Sequence, residues 1–199
     1  MAETRLRIYL TGVGGQGTLT ATTLLSRIML DEGLTVVSGE IHGMAQRGGV
    51  VESTVLVGGW KSPSVYHGEA DIVLGFEALE TYRGLPYLAD RGAVFSSSEF
   101  IAPPGVAAGR ETLPEIAAIR EAVQARAGKS CFLPILSIGK EVGAVQSANS
   151  ALLAAFFASG LLPMGVEALE RGINRYLPPK VVDVNLKAVA RAVEMAQSA

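Results

Sequence analysis

A glycine-rich hexapeptide, Gly12-Val13-Gly14-Gly15-Gln16-Gly17, stands where a short apolar run gives way to a helical pattern. In a strand-to-helix turn each glycine has a task. Gly12 allows the tight turn, Gly14 admits a backbone or ligand closely, and Gly17 lets the helix pack on the strand. Gly15 and Gln16 complete a row of N–H groups at the helix start, where the positive dipole end suits a phosphate. The electrostatic part is modest, about 0.3–1 kcal/mol at an exposed site. Three readings stay open on these residues: a tight turn without a nucleotide, a phosphate of some ligand, or NAD(P). An NAD site needs an acidic residue about 20 positions on, at the end of the second strand. Glu40 stands 23 positions after Gly17, beyond Val36-Val37-Ser38-Gly39. That places it far into a loop and weakens the dehydrogenase reading.

The second chemical segment is Ser38–Gly49, which has no periodicity and reads as a polar loop at the carboxyl end of a strand. Ligands bind at that edge in open α/β sheets, and polar loops there carry function or an interface. Glu40, His42, Gln46 and Arg47 crowd it, and Gly43, Gly48 and Gly49 fit close approach of a backbone or an anion. A merely solvated loop is the plain alternative. His42 has a general base's chemistry but no nucleophile at a defined spacing. Glu40 and His42 supply two metal ligands, too few for a closed site. His67 reads as a surface or capping residue.

These segments need a frame. Strands are expected at Arg7–Leu10, Leu34–Val37, Val50–Val57, Ala70–Leu74, Gly92–Ser96 and Ser130–Leu133. Helices are expected at Gly15–Glu32, Glu77–Tyr82 and Glu115–Arg126, the last with a solvated charged face. From there helices alone follow, at Asn149–Ser159, Met164–Tyr176 and Val181–Met195. The expected architecture is one α/β domain over residues 1–199. It is Rossmann-like, with a mostly parallel sheet, flanking helices and a C-terminal helical part over about 141–199.

Composition closes off several functions. Hydrophobic residues make up 49% of the 199 and charged residues 18%, enough for a well-buried core. The net charge of -2 gives no basic surface, so nucleic acid is not an expected partner. Met1–Tyr9 is polar, and no transmembrane run or signal peptide is visible, so a cytoplasmic location without a membrane partner is expected. The single cysteine, Cys131, reads as a buried strand residue. An iron–sulfur cluster takes about four thiolates, so this chain alone cannot hold one.

Gly-Val-Gly-Gly-Gln-Gly at 12–17, followed by Gly-Met-Ala-Gln-Arg-Gly-Gly at 43–49, resembles the paired signature of the gamma-type domain of pyruvate/2-oxoacid:ferredoxin oxidoreductases. The Glu40-Ile41-His42 lead-in looks most like the beta subunit of the indolepyruvate type. The likeness spans nearly the whole chain, and the second motif is the more specific. The resemblance implies a subunit with no catalytic residue of its own, inactive alone, serving a CoA-dependent oxidative decarboxylation of a 2-oxoacid. The products are acyl-CoA and CO2, with electrons passed to ferredoxin. It implies thiamine diphosphate and iron–sulfur clusters on a larger partner chain and no cofactor held by this chain alone. Coenzyme A is the co-substrate. Its binding residues here would be Gly12, Gly14, Gly15, Gln16, Gly17, Gln46, Arg47, Gly48 and Gly49. A stand-alone NAD(P)-binding oxidoreductase and a ligand-free assembly module are the alternatives. A subunit also leads one to expect an exposed apolar patch, drawn from Leu152–Phe157 or residues 39–49, and self-association of the isolated chain.

Overall fold

The computed structural model describes residues 4–42, 49–110 and 112–197. Gln46, Arg47 and Gly48 thus lie outside the described residues. The first half runs β1 (Leu6–Val13), α1 (Thr18–Asp31), β2 (Val36–His42), β3 (Val50–Val57), β4 (Ala70–Gly75), α2 (Ala78–Gly84) and β5 (Leu88–Ser97). The second runs α3 (Pro104–Ala107), α4 (Ile116–Arg126), β6 (Lys129–Leu133), α5 (Ile135–Glu141), α6 (Ala148–Phe157), α7 (Val166–Tyr176) and α8 (Pro179–Gln197).

The six strands form one sheet in the order β2-β3-β1-β4-β5-β6. β1, β4, β5 and β6 are parallel neighbours, as expected for this class. β3 is antiparallel to both β1 and β2. It therefore stands between β1 and β2, where a simple dinucleotide fold would place them side by side. The pairing also corrects the expected loop at 38–49. Residues 38–42 belong to β2, paired without interruption from Val36↔Val57 to His42↔Val51. Ser38, Gly39 and Glu40 have poor strand propensity, but the ladder with a β-branched neighbour overrides it.

Side chains alternate along β1, so its two faces serve different layers. Ile8 and Leu10 join the larger core with Leu25, Ile28 and Met29 of α1 and residues of α5–α8. Tyr9 joins the smaller core with Ala78 of α2 and Ile119 and Val123 of α4. α6 is buried at all ten positions, which suits a helix that is apolar all round. The expected exposed patch is therefore not at Leu152–Phe157: each of those residues is at most 3% exposed. The helical part opens at Ile135 rather than near 141, because Pro134 ends β6 and starts α5. Cys131 lies on β6 as expected but is only half-buried. Burial still pushes its thiol up, with Lys129 pulling the other way. Among the described residues no helix is long and apolar enough to cross a membrane.

Candidate functional site: the glycine turn and its clefts

The turn between β1 and α1 is held by its own glutamine. The backbone N–H of Val13 donates to Gln16 Oε1 at 2.7 Å, and Gln16 Nε2 donates to the carbonyl of Phe76 at 2.8 Å. Phe76 N–H returns to the carbonyl of Thr11 at 2.8 Å. Gln16 thus clips the end of β1 to the end of β4. A Cβ on Gly12 would meet Thr18, Gln16 and Phe76 at 2.9–3.0 Å, so the turn closes only around a glycine there. Gly17 is left-handed (φ 82°) and is the N-cap of α1, which begins at Thr18 rather than at the expected Gly15. A side chain on Gly17 would also meet the Asn149 amide at 2.7 Å. The glycine thus serves conformation and a polar contact, not the helix–strand packing read from the sequence.

Two of the turn's donors are spent on the protein itself. Gln16 N–H donates to Val13 at 3.1 Å, and Gly14 N–H to the carbonyl of Gly49 at 2.8 Å. The second bond brings Gly49, the last residue of the second sequence motif, to the turn. The first bond into α1 is Ala21 N–H to Gly17 at 2.9 Å, which leaves the N–H groups of Thr18, Leu19 and Thr20 without helical acceptors. The Gly15 N–H has no acceptor among the described residues.

Two clefts flank this row of donors and share Gly15, Gln16 and Gln146. One, of about 390 Å³, is walled by Leu24, Leu177 and Val181, with Asn149, Ser150 and Asn185 among its polar members. The other, of about 400 Å³, is lined by Val13, Ile101, Leu136 and Val145. The polar group of the first is one chain. Asn149 Nδ2 donates to Gly17 O at 3.4 Å, Ser150 Oγ to Asn185 Oδ1 at 2.7 Å, and Asn185 Nδ2 to Val181 O at 2.7 Å. Sequence reasoning missed these residues; the signal was Asn149-Ser150 at the head of an otherwise apolar helix. The site occupies the crevice where connections leave the sheet in opposite directions, α1 to one face after β1 and α2 to the other after β4. In open α/β sheets that crevice is where ligands bind.

Behind the crevice, on the α2 side, lies a second polar cluster the sequence did not suggest. Tyr9 OH donates to Glu52 at 2.5 Å, and its ring stacks on Tyr87 at 4.3 Å. Burial, then Glu52, holds the Tyr9 hydroxyl far above its ordinary range. Glu77 caps α2, accepting from the N–H groups of Glu80 at 2.8 Å and Ile101 at 3.0 Å. Burial pushes its carboxyl up, and these bonds pull it back. Glu80 is also raised by burial, against the pull of Arg83, whose guanidinium lies at 2.7 Å. One Glu80 oxygen is buried without a partner. These groups brace the sheet end and hold no group of three or more metal-ligating side chains among the described residues.

Glu40 and His67 both lie away from the crevice, His67 on the surface as expected. Glu40 sits on β2, and β3 separates it from the turn; two strand spacings are about 10 Å. The carboxylate of an NAD site belongs on the strand beside the turn, so the geometry does not favour the dehydrogenase alternative. His67 is exposed, edge-on to Tyr87 at 4.8 Å, away from the turn.

The model of the pyruvate ferredoxin/flavodoxin oxidoreductase family matches residues 7–195. The chain belongs to this family. Among its relatives, a protein of Pyrococcus horikoshii named indolepyruvate oxidoreductase subunit IorB is 37% identical over 96% of this chain and 95% of its own. The protein of that name from Archaeoglobus fulgidus is 34% identical over 98% and 96%. A solved keto/oxoacid ferredoxin oxidoreductase gamma subunit from Geobacter sulfurreducens has the same fold. Its TM-score is 0.70 at 23% identity, covering 98% of this chain and all of the other. The family's fold therefore extends over β1–α8, and the glycine turn lies inside the matched region.

Proposed function

We propose that the chain is the small, non-catalytic subunit of a 2-oxoacid:ferredoxin oxidoreductase of the indolepyruvate type. The observation that carries this is the end-to-end match to subunits of that name at 34–37% identity. In this role it supports the oxidative decarboxylation of an arylpyruvate with coenzyme A to acyl-CoA and CO2, with two electrons passing to ferredoxin. Thiamine diphosphate and iron–sulfur clusters belong to a larger partner chain in a cytoplasmic complex. One cysteine cannot ligate a cluster.

This chain's own share is to hold coenzyme A. The free N–H groups of Gly15 and the first turn of α1 suit a pyrophosphate. The first cleft offers Asn149 and Asn185 amides among Leu24, Leu177 and Val181, which suits an arm of amides joined by methylenes. Gly12, Gly14, Gln16 and Gly17 shape the turn, and Gly49 is bonded to it through Gly14. Arg47 is assigned to a phosphate, where a guanidinium makes bidentate, charge-assisted bonds. The test is steady-state kinetics of the two-chain enzyme carrying Arg47→Ala. The apparent KM for coenzyme A should rise about tenfold, the loss of about 1.4 kcal/mol, while that for the 2-oxoacid stays unchanged. If the substitution instead blocks assembly, or moves neither constant, the segment is an interface element.

A further inference from the structure

The two edges of the sheet are not alike. β6 is a short edge of five residues that opens on Lys129, whose ammonium donates to the carbonyl of Ser159 at 2.7 Å. β2, at the other end of the sheet order, spans seven residues and, among the described residues, pairs only with β3, in continuous register and without a bulge. It contains no proline, lysine or arginine. Ser38 and Glu40 are exposed, and Val36, Val37 and Gly39 are half-buried. Natural sheets guard their edges with lysine, proline, bulges or short strands, because an open edge presents unpaired N–H and C=O groups to any other strand. Within its own seven residues β2 has no lysine, no proline and no bulge.

Its sequence selects one partner. An antiparallel ladder between two copies of Val36–His42, centred on Gly39, faces Val36 with His42, Val37 with Ile41, and Ser38 with Glu40. Every residue of the strand is paired and no charge faces a like charge. The Val37–Ile41 pairs are β-branched, which favours cross-strand packing. Centring the ladder on Glu40 sets two carboxylates opposite each other, which destabilises a sheet. Centring it on Ser38 leaves Ile41 and His42 beyond the ladder. We propose that β2 is a self-association edge: two copies of this chain pair their β2 strands antiparallel about a two-fold axis at Gly39, extending the sheet across the dimer. This is independent of the coenzyme A assignment.

The test uses the full chain with Cys131→Ser, so that introduced thiols are the only ones. Paired residues in an antiparallel ladder have Cα atoms about 4.5–5.5 Å apart, inside the roughly 4.4–6.8 Å a disulfide needs. A mixture of Ser38→Cys and Glu40→Cys chains should give a disulfide-linked heterodimer under mild oxidation, at least tenfold more than either variant gives alone. Ser38→Asp sets a second carboxylate against Glu40 at two symmetry-related places. It should weaken the dimer at least tenfold in sedimentation equilibrium, and Ser38→Lys should not. A chain that stays monomeric at every concentration, cross-linking without preference for the 38–40 pairing, or β2 amides protected from exchange only when the larger chain is bound would each overturn the proposal.

Discussion

The two faces of the sheet are covered by different means. On one, α1 and α5–α8 bury an almost unbroken apolar layer, with Phe156, Phe157 and Leu152 at most 1% exposed. Polar side chains come together at its upper lip, where Asn149, Ser150 and Asn185 face a cleft. On the other, α2 and α4 cover a smaller core that buries Tyr9, Glu77 and Glu80, tied to Glu52, Arg83 and the backbone of Ile101. The first face builds rigidity from packing and gathers its few polar side chains, bonded among themselves, at the wall of a cleft. The second consumes its polar groups in bracing the sheet ends. The buried carboxylates are thus spent on the fold, and the proposed coenzyme A site rests on the backbone donors and amides of the apolar side.

The largest effect that breaks this contrast is in the apolar layer. Phe156→Ala should cost about 3–5 kcal/mol, the usual loss for a fully buried aromatic ring. It should appear as a lower denaturation midpoint, and a loss below about 1 kcal/mol would mean that the helical layer is not the main core. Gln16→Ala comes next. It removes both bonds of the clip between β1 and β4 and leaves the Val13 N–H and the Phe76 carbonyl unpaired. About 1–3 kcal/mol should be lost for leaving such groups unsatisfied, and an unchanged midpoint would show that the turn holds without its glutamine.

On the polar face the sign depends on pH. Burial raises the Glu80 carboxyl. Its contribution to stability is therefore fully present below the ordinary value of about 4.3 and is lost as pH rises through the raised value. Glu80→Gln cannot ionise. It should match the native chain near pH 4.5 and exceed it by pH 8, the gap opening as pH rises. Denaturation midpoints across that range decide it, and a variant that is weaker at pH 8 than at pH 4.5, relative to the native chain, contradicts the assignment. The smallest effect belongs to the cleft. Asn149→Ala should change stability by about 1 kcal/mol, since its bond to Gly17 is long and its short one, accepted from the Ser150 N–H at 2.7 Å, is to its own neighbour. It should nonetheless raise the KM for coenzyme A several-fold in the assembled enzyme, and a change in stability without a change in KM would make it a structural residue.

Much of this was legible in the sequence because it rests on local pattern. Gly12–Gly17 announces a strand-to-helix turn, and the apolar run at 151–157 announces a buried helix. Long-range pairing was not legible. β2 reads as loop after Val37 because Ser38-Gly39-Glu40 lacks propensity, and only the ladder with β3 makes it a strand. The same insertion of β3 moves Glu40 away from the turn, which no local spacing reveals. Gln16 reads as one more polar residue of a motif until Phe76, 60 positions away, supplies its second bond. The buried carboxyls of Glu77 and Glu80 look like an ordinary charged helix start, since what meets them arrives from elsewhere in the chain, Ile101 at Glu77 and Glu52 near Glu80.

The most direct test of the central claim is turnover by the chain alone and after mixing with the proposed larger thiamine-diphosphate chain. The measurement is arylpyruvate- and coenzyme A-dependent reduction of ferredoxin. The isolated subunit should give none, bind no NADH and show no visible cofactor absorption, and the mixture should restore the reaction in proportion to the limiting chain. Turnover of a 2-oxoacid by the isolated chain, or a larger chain that reaches full rate without it, would contradict the account.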